Sequence, residues 1–394
     1  MVYGWMALVK AIGLKYYAVP GIETPPNTAF QYLEPPEDEA WMRADEYDAL
    51  IDDPTGYLYN VWLPRVSADV VAPGQPNTFR NNMSFVKGGM AMLQYFMGFG
   101  VQAARLRKES GSVSAISGIL KAPFDIIADK LRGYKGLCMD MYRQPKKVQA
   151  ACEAMMPHLF EVALSGADPD RNVPIGLWMH RGCVPFVSPP QFEKFYWPTL
   201  KQIIEQLWAR GCQTLFYAEG DWTASLKYIA ELPERSIVFH VDRSDIHQTR
   251  RWLKEKFCVS GGIRNDVLAL GTPQQVRDCC KQVIDTLGRD GGYVMDASAI
   301  MQDDTTAENL RAMTEATREF GRSTSAHSAT AFKPAPRKAE PFSQGKRPPG
   351  SCVPWEEKVK EFPPILGDKA MVERLWKEID SLGYTYIWQI LESF

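Results

Sequence analysis

From Ser165 onward the chain alternates short apolar runs with longer amphipathic ones. VPIGLWMH, TLFYAEGDW, SIVFHVD, FCVSGGI and GGYVMDAS read as strands, because each is a brief apolar stretch bounded by glycine, proline or charge. SPPQFEKFYWPTLKQIIEQLWARG, TPQQVRDCCKQVIDTLG and TAENLRAMTEATREFG carry apolar residues at helical spacing between and after them. Such alternation predicts a parallel sheet with helical crossovers. The spacing fits the second half of a (β/α)8 TIM-type barrel, an α/β fold whose reactive residues sit at the strand C-termini.

Before Ser165 the pattern is mostly helical. Val2 to Leu14 reads as a packed helix, Ala29 to Leu33 as a short strand, and ADEYDALIDDPTGYLYNVWLP as two short helices split by Pro54. Asn81 to Lys108 and Phe124 to Tyr134 carry Met, Phe, Ile and Leu on a helical period, with glycine-rich joints between them. The methionines Met83, Met90, Met92 and Met97 suit gap-filling in a core, with a flexible partner-binding surface as the lesser reading. Residues 322–355 are rich in Pro, Ser, Ala and Lys without an apolar period and read as a surface excursion or linker. The tail regains a helical stripe at Met371, Leu375, Ile379 and Leu382, expected to dock on the body as a barrel cap or a dimer contact. The domain plan is therefore a barrel body over 1–321, an excursion over 322–355 and a C-terminal helical extension over 356–394.

Composition narrows the partners. A net charge of -2, with both signs mixed along the chain, gives no basic footprint for nucleic acid and no polybasic membrane patch. The 8 cysteines show no CxxC and no framework spacing, which fits reduced thiols in a cytoplasmic enzyme. The opening MVYGWMALVKAIGL lacks a basic leader and is too short to span a bilayer.

Leu215 to Asp242 concentrates the chemistry. Two strand-like runs deliver Glu219, Asp221, His240 and Asp242 to one edge, with His180 and Arg181 ending the preceding strand and Asp296 to Ser298 the last. A carboxylate and an imidazole at a barrel mouth can bind zinc, but strand-end His and Glu residues are more often ordinary hydrogen-bonding groups. Asp221 and Asp242 suit capping the next helices, or orienting His240, somewhat better than ligation. Trp178, Phe186, Tyr217 and Trp222 read first as core and second as the wall of a pocket for a flat molecule. Arg181 suits a structural ion pair better than a substrate carboxylate. No GxGxxG, Walker, HExxH or GxSxG signature occurs, and nothing in its spacing marks Cys183 as a nucleophile.

VSPPQFEKFYWPTLKQIIEQL, FYAEGD, HVDRSDIHQTRRWL, SGGIRNDVLALGTPQQVRDCCKQVI and MDASAIMQDDTTAENLRAM resemble the uroporphyrinogen decarboxylase superfamily, which includes corrinoid-dependent methyltransferases. The arginine-bearing opening motif with which the decarboxylases hold substrate carboxylates is not visible. The thiol-directed methyltransferases place His-x-Cys at a strand end and a second Cys near the final strand, where this chain has Tyr217, Glu219 and Ser298. Glu219 with His240, and the tail PPILGDKAMVERLWKEIDSLGYTYIWQILESF, look instead like the branch that demethylates methoxylated aromatics.

That resemblance implies a catalytic set of Glu219, His240, Asp242 and Asp221, and a zinc on Glu219, His240 and a third ligand such as Asp296. A glutamate and a histidine leave zinc a stronger Lewis acid toward an ether oxygen than two thiolates would. It also implies an aryl methyl ether near Trp178, His180, Arg181, Tyr217 and Trp222, and a corrinoid carried by a separate protein. The alternatives are methyl transfer with a thiol or tetrahydrofolate acceptor, or a non-catalytic tetrapyrrole- or corrinoid-binding relative. Superfamily members usually carry a strand and helix ahead of this chain's first residue, so the expectation is either that the chain begins late or that its first barrel strand is unconventional.

Overall fold

A computed structural model describes residues 10, 12–26, 28, 31–289, 291–301, 304–321, 342 and 347–392. Most of the Val2–Leu14 helix and most of the 322–355 excursion therefore lie outside the described residues. The chain forms two compact units, one of Met1–Ser114, Ile126–Val162 and Pro341–Phe394, the other of Ala115–Asp125 and Ala163–Glu340.

In the first unit β1 (Tyr17–Ala18) pairs antiparallel with β2 (Gln31–Tyr32), inside the stretch expected to be a strand. Pro54 does divide two helices: Tyr47–Asp52 stops, Asp53 accepts from the Gly56 N–H, and Pro54 opens the next helix where its missing donor costs nothing. Helix α1 (Phe79–Ser110) is capped by the Thr78 hydroxyl and ends on Gly111 at φ 69°. The C-terminal helix α2 (Lys369–Glu392) buries Tyr384, Ile387, Trp388 and Leu391 in the same unit. Against it lies His158, whose Nδ1 is 2.9 Å from the Tyr384 hydroxyl and whose ring stacks on Trp388 at 4.9 Å.

The second unit holds six parallel strands paired in chain order. They are β3 (Ile119–Lys121), β4 (Ile175–Met179), β5 (Thr214–Ala218), β6 (Ile237–Val241), β7 (Cys258–Ile263) and β8 (Tyr293–Ala297). Five coincide with the strands expected from the pattern, and β3 is additional. It escapes notice because its apolar run is only Ile119–Leu120, flanked by Gly118 and ended by Lys121 and Pro123. Successive strands joined by helices give the doubly alternating α/β order.

The register explains where chemistry accumulates. Leu120, Leu177, Phe216, Phe239 and Val259 form one row of mutual partners, all fully buried. One residue further along, on the opposite face, runs Lys121, Trp178, Tyr217, His240 and Ser260. The same strands thus carry an apolar layer on one side and a polar, aromatic one on the other.

Candidate active site

Trp178, Tyr217 and His240 make a continuous stack across three neighbouring strands. The indole and phenol rings are 4.8 Å apart, and the phenol and imidazole lie parallel at 4.4 Å. Two residues beyond this row, the chain delivers His180, Glu219 and Asp242, and Asp296 pairs with Gly262 on β8. Period-two alternation keeps all four on the face of the stack.

Glu219 is tied to the stack, since the Trp178 indole N–H donates to its Oε2 at 3.0 Å. His240 is 1% exposed, and burial brings its pKa down to about 4, so its ring is neutral near pH 7. Its Nδ1 faces the Ser260 hydroxyl at 3.4 Å and the Asp296 carboxylate at 3.6 Å. Its Nε2 is buried and finds no hydrogen-bond partner among the described residues. A buried polar atom left open in this way costs stability and calls for a partner such as a water, an ion or a ligand.

The aspartates divide the remaining work. Asp242 accepts from the Gly220 N–H at 2.7 Å and the Ala299 N–H at 3.2 Å, and burial raises its pKa, with a smaller contribution from Glu219. It therefore ties the end of β5 to the loop after β8. At Asp221 burial works to raise the pKa, but hydrogen bonds from Thr223 and the Ser244 hydroxyl outweigh it and lower it. Asp221 thus anchors the turn after β5, while the short helix that follows, with Trp222 at its N-cap, has no side-chain cap.

Several expected substrate residues are separated by the structure. Trp222 is buried against Phe192, Tyr196 and Phe216, in the aromatic core. The guanidinium of Arg181 lies 4.7 Å from the Phe186 ring, and its backbone N–H donates to Asp125. Cys183 donates to the His180 carbonyl, and burial pushes its thiol up to about 11, which leaves it a thiol rather than a nucleophilic thiolate.

Above the strand ends opens a cleft of about 1280 Å³. Its walls include His180, Phe186, Glu219, Asp242, Arg243 and Ile300, while Trp178, Tyr217 and His240 lie outside the lining. Ile300 was not anticipated from sequence. It is a β-branched residue at φ 51°, a conformation that L side chains adopt at a cost. The loop is held there because the Ile300 N–H donates to the Tyr217 hydroxyl at 2.9 Å and Asn265 donates to the Ala299 and Ile300 carbonyls. Ser260 and Ser244 were missed as well. Ser260 sits beside His240 only through the β6–β7 register, which the pattern of one strand does not carry.

The zinc expectation meets an incomplete donor set. Among the described residues no group of three or more His, Cys, Asp and Glu side chains is arranged to hold a metal ion. Asp296 lies on the Nδ1 side of His240, whereas the open nitrogen is Nε2, so Asp296 is placed to orient the ring. His240 and Glu219 are two donors where zinc sites use three or four.

A cleft at the strand C-termini is where parallel α/β folds carry their sites. Residues 93–320, more than half of the chain, match uroporphyrinogen decarboxylase (URO-D), and the chain belongs to that family. A solved structure titled methyltransferase from Methanosarcina mazei is similar at 14% identity, over 79% of this chain and 77% of that one, with a TM-score of 0.49. No curated protein matches. Among the described residues no helix is long and apolar enough to cross a membrane.

Proposed function

We propose that this protein is a methyltransferase that moves the methyl group of a methoxylated aromatic compound to the cobalt(I) corrinoid of a separate protein, and that its sheet belongs to a (β/α)8 barrel. The observation that carries this reading is the open nitrogen of His240. It sits in a flat aromatic stack beside Glu219, at the strand ends where the sequence resembles the O-demethylating branch. The cleft is wide enough for an aryl ether, with the Phe186 and Ile300 side chains offering apolar walls.

The reaction balances without a covalent enzyme intermediate. The methyl carbon bonds to cobalt as its bond to the aryl oxygen breaks, and the oxygen keeps the bonding electrons and takes up one proton, leaving as a phenol. Asp242 lines the cleft and is our choice of proton donor. Glu219, which lines the cleft and whose Oε2 is held by the Trp178 indole, orients the ether oxygen. Since the described residues offer only part of a zinc site, no step is routed through a metal.

The test is a methyl-transfer assay with a reduced corrinoid protein and a panel of methoxybenzenes. Transfer from at least one aryl ether is expected. No transfer from any of them, beside robust transfer to a thiol, would favour the thiol-acceptor alternative. Metal analysis runs in parallel, and stoichiometric zinc that disappears in Glu219→Ala and His240→Ala would supply the missing third partner to the site.

A further inference from the structure

Helix α1 buries one face in its own unit and exposes a row of apolar side chains on the opposite one. Asn81, Ser84, Gly88 and Met92 are buried on one face. A side chain at Gly88 would collide with the Tyr386 hydroxyl of α2 and with Ile12, so this face is seated closely in its own unit. At about 100° per residue, Phe79, Val86, Met90, Leu93, Met97 and Val101 fall within roughly 40° of a line on the far side. These six are between 52% and 82% exposed. Their spacing from Val86 to Met97 is four, three, four, which is the seam of a coiled coil.

We infer that this seam pairs with the same seam of a second copy of the chain, antiparallel about a two-fold axis near Met90 to Leu93. The area suffices. Six large side chains exposed by more than half present on the order of 650 Å² per copy, beyond the few hundred Å² usual for a monomer's patch, and about 1,300 Å² in the pair.

Charge permits the pairing and sets its sense. No charged residue interrupts the seam between Phe79 and Val101; on one flank Asn82, Gly89, Phe96 and Ala103 are neutral, and on the other Lys87 is exposed, its two copies kept about nine residues apart along an antiparallel pair. Arg80 is already held by Asp69 at 2.5 Å and Arg105 by Glu109 at 2.9 Å. A parallel pair would bring the basic ends Arg105, Arg107 and Lys108 of both copies together, whereas the antiparallel pair keeps them apart and opposes the helix dipoles favourably. This inference is independent of the proposed reaction.

Sedimentation velocity over a range of concentrations tests it. The unaltered protein should be a dimer at tens of micromolar, Leu93→Glu should weaken association at least 100-fold with an unchanged circular dichroism spectrum, and Gln102→Glu, off the seam, should leave it intact. Oxidation should cross-link Met90→Cys into a covalent dimer but not Phe79→Cys. A monomer up to 100 µM, or a Leu93→Glu dimer of undiminished strength, would overturn the inference. Cross-linking at both cysteine positions would overturn the antiparallel arrangement.

Discussion

Two buried histidines sit in similar surroundings and do different things. His158, in the first unit, stacks on Trp388 and is hydrogen-bonded to the Tyr384 hydroxyl. His240, in the second, stacks on Tyr217 just as flatly, but its Nδ1 contacts are longer and its Nε2 is open. Burial brings both down to about 4. The pKa therefore does not separate a structural histidine from a functional one. The distinction lies in which nitrogen the surroundings leave unserved, and at the strand ends it is one facing chemistry rather than core.

The largest effect common to both is on stability against pH. Each histidine takes up its proton near 6.5 when unfolded and near 4 when folded, so between those values the unfolded chain binds more protons. Stability is fully present above pH 6.5 and falls as the pH drops toward 4, by on the order of 3 kcal/mol for each histidine. Chemical denaturation across that window should show the slope, and His158→Phe and His240→Phe should each remove one share of it. An unchanged slope in either variant would mean that histidine titrates normally in the fold.

At constant pH the two replacements should diverge. His240→Phe keeps the ring stack and removes an unserved polar atom, so the melting temperature should hold or rise while methyl transfer falls at least 100-fold. His158→Phe takes one partner from the Tyr384 hydroxyl, which keeps the residue 158 carbonyl at 3.3 Å, and should cost about 1 kcal/mol with kcat/KM unchanged. Equal kinetic damage from both would erase the comparison.

Smaller changes sharpen it. Asp296→Asn should lower kcat about 10-fold with KM little altered, because Asp296 acts on His240 rather than on substrate. A rise in KM alone would place it against the substrate instead. Ile300→Gly relieves the positive φ and should stabilise the protein by about 1 kcal/mol while weakening aryl ether binding. Destabilisation would show that the Ile300 side chain contributes more packing than its backbone costs.

Much of this was legible in the sequence where period and length agreed. The runs through Trp178, Tyr217, His240, Ser260 and Asp296 each announce a strand, and Glu219 and His240 end neighbouring ones. What stayed hidden depends on register, which single-strand patterns do not encode. Trp222 lies just past Glu219 in the same strand-end turn, yet it turns into the core against Phe216. Lys121 and Ser260 belong to the polar row only through pairing with residues more than fifty and about twenty positions away. The strained Ile300 is invisible because its φ is imposed by Tyr217 and Asn265, far from it in sequence.

The central claim is that the open nitrogen of His240 marks the site of methyl transfer. Single-turnover absorbance of a reduced corrinoid protein, mixed with an aryl methyl ether and each histidine variant, tests it most directly. Unaltered protein and His158→Phe should methylate the corrinoid at the same rate, and His240→Phe should leave it unmethylated on that timescale. Methylation by His240→Phe at the unaltered rate would contradict the account.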